Sequence, residues 1–125
     1  MSMDKEELRQ IGRIQKRLGY KSRSKMLRSA FQSLVKDYVG LEGLKGNVES
    51  VFVLAYPDSQ KNNVSNILHK FEDTIKTEMH HHHQGTCIDI LNLETGANTT
   101  RRFFSTVKSS KAISSVTYSI VSEKN

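Results

Sequence analysis

Three glycines in seven residues, Gly40, Gly43 and Gly46 of VGLEGLKGNVES, constrain this chain more than any other feature. Each lowers helical propensity and frees the backbone, so together they mark a flexible linker over residues 40–47. A chain of 125 residues divided there becomes two very small units, 1–39 and 48–125. Units of that size bury too little surface to be generous with stability, and self-association is expected.

Charge divides at the same place. Of the 19 Lys and Arg residues, 11 precede Asn47, against 5 of the 13 Asp and Glu residues, so the net charge of +6 lies entirely on the N-terminal side. Lys5, Arg9, Arg13, Lys16, Arg17, Lys21, Arg23, Lys25 and Arg28 form a compact basic cluster. Such a cluster is the footprint of a polyanion binder or of a solvated helical surface, and the surrounding architecture has to decide between them. No apolar run approaches the ~20 residues of a membrane span. The opening MSMDKEELRQIGRIQKR lacks the apolar stretch of a secretory signal, and the single cysteine has no internal disulfide partner. A reducing cytoplasm is the expected compartment, with no membrane partner.

Asp4 precedes Leu8, Ile11, Ile14 and Leu18, whose spacing lays one apolar stripe along a helix with an N-cap in front and Gly19 behind. Ser22 offers a second N-cap, and Leu27, Ala30, Phe31, Leu34, Val35 and Tyr38 repeat the helical period. Neither helix can bury its stripe unaided, so the pair is expected to complete its core against a second copy. The start of the second helix, at Ser22, Arg23 and Ser24, presents free backbone N–H groups beside positive side chains and suits a DNA phosphate.

The segment LGYKSRSKMLRSAF is similar to the GY-x-x-RS-x-x-(I/L)R signature of the ribbon-helix-helix regulators, over roughly residues 2–38. That resemblance implies an N-terminal strand that pairs across a dimer and enters the major groove of double-stranded operator DNA. Only Met1, Ser2 and Met3 precede Asp4, so the strand is expected to be shortened, with Ser2 at a base-facing position. Arg9, Arg13, Lys16, Arg23, Ser24 and Arg28 are the expected phosphate contacts.

Beyond the glycines, Val51 to Tyr56 reads as a strand closed by Pro57, and Val64, Ile67, Leu68 and Phe71 as a helical stripe. Two strands flank Gln84 and Gly85, a helix follows from about Asn98 to Ser109, and a strand from about Val116 to Val121 closes the pattern. This order, βαββαβ, is the split arrangement of ferredoxin-like and ACT domains, making the chain an α+β protein. The fold by itself decides no function.

The chemistry concentrates in MHHHHQGTC. Four consecutive histidines can be a tag fragment, but tags are longer and terminal, whereas this run lies between a helix and a cysteine-bearing strand. If residues 74–83 and 86–93 pair across Gln84 and Gly85, His82 faces Cys87 and His80 faces Asp89. Alternation then puts His80, His82 and Cys87 on one face, His81 and His83 on the other. Asp89 could accept the second ring proton of His80, the usual task of a carboxylate behind a metal-bound histidine. A fourth ligand is needed, and the one histidine outside the run is His69, whose arrival from a neighbouring subunit would couple metal to assembly. An enzyme reading, with Cys87 as nucleophile and His80 or His82 as base, has no accompanying oxyanion hole and too many histidines for a dyad.

The stretch HKFEDTIKTEMHHHHQGTC resembles the metal segment of the nickel-responsive (NikR) regulators, H-x10-H-x-H followed shortly by C. Cys87 comes one residue earlier than in that pattern, and Ile88 and Asp89 stand where the family has Leu and Glu. The resemblance implies Ni(II) held in a square plane by His69, His80, His82 and Cys87 at the interface of a tetrameric core, flanked by two DNA-binding dimers. Imidazole and thiolate donors also suit Cu(II) and Zn(II), and copper binds tightest in the general series. The expectation is a metal-responsive DNA-binding regulator, a repressor by the family's habit and not an enzyme. The alternative is a metal-binding or storage homologue with impaired DNA recognition.

Overall fold

A computed structural model describes residues 3–124. The chain forms two compact units that divide after Glu42. In the first, Asp4 caps helix α1 (Lys5–Leu18) by accepting the Glu7 backbone N–H at 2.8 Å. Gly19 ends it in the left-handed conformation, with φ 77°. The N–H groups of Gly19 and Tyr20 return to the carbonyls of Lys16 and Gln15, so the last turn is closed in the Schellman manner. Ser22 then caps helix α2 (Arg23–Glu42) by accepting the Lys25 N–H. Tyr20 ties the two helices by donating its hydroxyl to Ser29 Oγ at 2.9 Å.

The apolar stripes of these helices remain open, with Leu18, Phe31, Leu34 and Tyr38 63–66% exposed. Helix α2 runs through Gly40, which the sequence reading assigns to the linker. One glycine costs a helix about 1 kcal/mol, and the residues on either side of it carry that cost. The segment between α2 and the first strand of the second unit is thus only 43–46. Among the described residues the first unit consists of these two helices and the turn that joins them, with no strand. The shortened ribbon expected at the N-terminus, including Ser2, lies outside them.

In the second unit, strand β1 (Asn47–Pro57) buries alternate residues Val48, Ser50, Phe52, Leu54 and Tyr56. A 3-10 turn at Asp58–Gln60 leads into α3 (Lys61–His69), then β2 (Ile75–His83), β3 (Thr86–Gly96), α4 (Ala97–Ser109) and β4 (Ser115–Lys124). The strands form one antiparallel sheet in the order β2-β3-β1-β4. This is the βαββαβ order expected from the sequence. Period-2 burial on β1 and β3 leaves one apolar face, which Val64 and Leu68 of α3 and Phe103 and Val107 of α4 cover. Phe103 packs edge-on to Phe52 and Phe71, at 4.8 and 5.0 Å between ring centres, and these rings form the middle of the core.

Strand β2 lies at the sheet edge, where only Ile75 packs against this core, and from Lys76 to His83 it is exposed. A polar, histidine-rich strand belongs at such an edge because it has no apolar face to bury. Its backbone is held on one side only, by the ladder to β3.

Candidate metal centre

Gln84 and Gly85 connect β2 to β3, with φ 49° and 80°. Positive φ at both positions is the pattern of a type I′ hairpin turn, which Gly85 adopts without strain. The resulting register sets His80 opposite Asp89 and His82 opposite Cys87. These four positions share the face of the sheet that packs on the helices. His81 and His83 stand on the other face with rings stacked 6.3 Å apart. Both consequences agree with the pairing expected from the sequence.

Asp89 is almost completely buried, and two groups hold its carboxylate. Tyr56 donates its hydroxyl to Oδ2 at 2.7 Å, while His80 Nδ1 lies 2.5 Å from Oδ1. A buried carboxylate in this position fixes the ring and commits Nδ1, leaving Nε2 as the nitrogen for a metal. Burial pushes the Tyr56 phenol well above its ordinary value, and the hydrogen bond to Asp89 adds to the shift.

Cys87 faces Tyr56 across the β1–β3 ladder and is fully buried. Its thiol donates to Asp58 Oδ1 at 3.7 Å, and His82 Nε2 lies 3.5 Å from the same oxygen. Burial raises the thiol pKa, the charge of Asp58 and the hydrogen bond to it raise it further, and Lys61 opposes them. One donor atom from each of Asp58, His82 and Cys87 lies within 4.8 Å of the others. Sequence reasoning did not single out Asp58. The signal that could have found it is its place after Pro57: once β1 pairs with β3, the end of β1 lies beside Thr86 and Cys87. The Asp58 N–H donates to the Gly85 carbonyl at 2.8 Å, which anchors this residue to the hairpin turn.

His69, at the C-terminal end of α3, lies outside that group. Its Nδ1 is 3.1 Å from Glu72 Oε2, and its side chain is 76% exposed. It does line a cavity of about 650 Å³ together with Tyr56, His80 and Asp89. Of the expected DNA contacts, Arg23 and Ser24 are exposed in the first turn of α2 and Arg28 lies exposed one turn later. Arg9 and Arg13 are exposed on α1, where Glu6 approaches them at 3.9 and 3.5 Å.

Imidazole, thiol and carboxylate donors converging at these distances fit a divalent ion of intermediate softness. No helix among the described residues is long and apolar enough to cross a membrane. In fold, the second unit is similar to an uncharacterized protein of Thermotoga maritima, with TM-score 0.57 and 15% identity over 62% of this chain and 100% of that one. It is also similar to the ACT domain of a GTP pyrophosphokinase of Chlorobium tepidum, with TM-score 0.52 and 12% identity over 59% of this chain and 100% of that one. The sheet domain is therefore ACT-like in architecture.

In sequence, the chain is 31% identical over 85 residues to the "Putative nickel-responsive regulator" of Methanocella arvoryzae, covering 65% of this chain and 60% of that protein. Residues 46–121 match the NikR C terminal nickel binding domain, a span that contains every histidine and the cysteine. The match is to a regulatory nickel-binding domain and not to an enzyme. On that match, which spans more than half its length, the chain belongs to the NikR family through its C-terminal nickel-binding domain.

Proposed function

We propose that this chain is a nickel-responsive regulator that binds operator DNA, with His80, His82 and Cys87 of one protomer and His69 of another as the ligands of Ni(II). The observation that carries this reading is the hairpin register, which aligns His80 and His82 with Asp89 and Cys87 on one face. The grip of Asp89 on His80 Nδ1 supports a ligand role for the opposite nitrogen. His69 stands apart from His82 and Cys87 within its own protomer, which favours a donor that reaches across to a neighbouring copy. Nickel is the preferred ion. Cu(II) and Zn(II) are the competitors that this donor set also admits.

The helical unit, residues 1–39, would then be the DNA-binding module and residues 48–125 the metal-binding and oligomerisation domain. The open stripes of α1 and α2 favour closure against a second copy, and the shared ligand set favours a dimer of dimers. Arg23, Ser24 and Arg28 at the start of α2 suit phosphates, and Arg9 and Arg13 of α1 are further candidates; the base-reading role expected of Ser2 falls outside the described residues. Metal must favour the arrangement of modules that spans both operator half-sites, because an effector with equal affinity for both states shifts nothing.

The test is a nickel titration of the full chain, followed by thiolate-to-metal charge-transfer absorbance and by retardation of its own promoter DNA. A charge-transfer band with nickel-dependent retardation is the expected result. A band without retardation would reduce the protein to a metal-binding homologue lacking DNA recognition, and absence of both would refute the reading.

A further inference from the structure

The most compact group of metal donors among the described residues is not the four-residue nickel set. Asp58 Oδ1 lies 3.5 Å from His82 Nε2 and 3.7 Å from Cys87 Sγ, and all three donors belong to one protomer. Around a zinc ion with bonds of roughly 2.0–2.3 Å, neighbouring O, N and S atoms of a tetrahedron stand roughly 3.4–3.7 Å apart. Adjacent donors in a square plane with the same bond lengths would stand only roughly 3 Å apart. The two distances measured from Asp58 match tetrahedral edges, and the His82 and Cys87 donor atoms lie within 4.8 Å of each other.

Asp58 is also fixed without any metal. Its backbone N–H is bonded to Gly85 O in the turn that sets the His82–Cys87 register, so the carboxylate and its two partners are positioned by one local structure. We propose that Asp58, His82 and Cys87 form a zinc-type tetrahedral site complete within one protomer, its fourth position open to water. The proposal rests on the reading of His82 and Cys87 as metal ligands and adds Asp58 to them. Because the two donor sets share His82 and Cys87, one ion excludes the other.

A tetrahedral ion in this site needs neither His80 nor a histidine from a second copy. It therefore occupies the thiolate without linking protomers. An ion that demands a square plane has to draw on His80 and His69 instead. Metal identity is in this way translated into a choice of partners: carboxylate within the chain, or imidazole from the neighbour.

The experiment is titration of the full-length protein with Co(II), whose visible bands report tetrahedral geometry and whose near-ultraviolet band reports thiolate, with Zn(II) as competitor. The variants are Asp58→Ala, His69→Ala and Cys87→Ala. The Asp58 side chain is 55% exposed, so its removal leaves the core untouched, and thermal unfolding of the metal-free variants checks this. The expected result is tetrahedral bands in the parent protein and in His69→Ala, with affinities within about twofold of each other, and a loss of at least about tenfold with weaker bands in Asp58→Ala. Parent-like Co(II) binding by Asp58→Ala, or its loss in His69→Ala, overturns the proposal. If Cys87→Ala also binds Co(II) like the parent, the underlying reading of the thiol fails with it. If Cys87→Ala loses the ion while Asp58→Ala keeps it, only the role of Asp58 falls.

Discussion

At the scale of single residues, the two buried polar groups of the site have different tasks. Asp89 touches no candidate metal position itself but orients His80, and it is buried between His80 and Tyr56. Asp89→Ala is expected to weaken nickel binding by about 10–100-fold, as losses behind a metal-bound histidine usually do. Calorimetric titration measures this, and an unchanged affinity would remove Asp89 from the site. Cys87, as a proposed ligand, would carry its proton into the binding reaction. Burial and Asp58 raise the thiol pKa, so the metal-free protein is protonated there at neutral pH, while a metal needs the thiolate. A raised folded value means that the neutral thiol stabilises the metal-free fold at low pH, and that this contribution fades as pH rises through it. Nickel affinity should therefore climb with pH, by up to about tenfold per unit from this residue, and level off only above the ordinary thiol range. A nickel affinity that is flat between pH 6 and 8, roughly the window below ordinary thiol ionisation, would show that no thiol proton is displaced. His80 and Asp89 were legible as a pair because strand alternation and a two-residue turn suffice to align them. Asp58 and Tyr56 were not, because their approach depends on β1 lying beside β3, a long-range pairing that no local pattern states.

At the scale of elements, two glycines that look alike in the sequence have opposite energetics. Gly85 has φ +80° in a turn that needs it, whereas Gly40 is an exposed position in the last turn of α2 with open space where a Cβ would be. Gly85→Ala should destabilise the sheet domain by about 1 kcal/mol, because an L-residue is strained in that conformation. Gly40→Ala should instead stabilise the helical unit by about 0.5–1 kcal/mol. Urea unfolding followed by circular dichroism would read both, and two changes of the same sign would contradict these backbone assignments. Helix starts were legible because Asp4 and Ser22 are side-chain caps with local consequences. The end of α2 was not: counting glycines puts the break at Gly40, but helix propensity is a sum, and one unfavourable position inside a long helix does not end it.

At the scale of the whole molecule, the division of charge and the division of apolar surface follow the same boundary. The unit up to Glu42 holds nearly all of the basic excess and leaves Leu18, Phe31, Leu34 and Tyr38 exposed, while the sheet domain closes its own aromatic core. If that unit closes its stripes against a second copy, as proposed above, doubling it would double the positive charge offered to DNA. Arg23 tests this arrangement because it stands at the start of α2, where backbone N–H groups and its own guanidinium both suit a phosphate. Each phosphate neutralised contributes about −0.9 to the slope of log affinity against log salt concentration. A dimer in which each Arg23 meets one phosphate should lose about 1.8 from that slope when both become alanine, with a uniform loss of affinity across operator sequences. Fluorescence anisotropy of nickel-loaded protein over a salt series measures it. If affinity falls while the slope stays, Arg23 acts through the packing of α2. If neither changes, the phosphate lies elsewhere on the basic face.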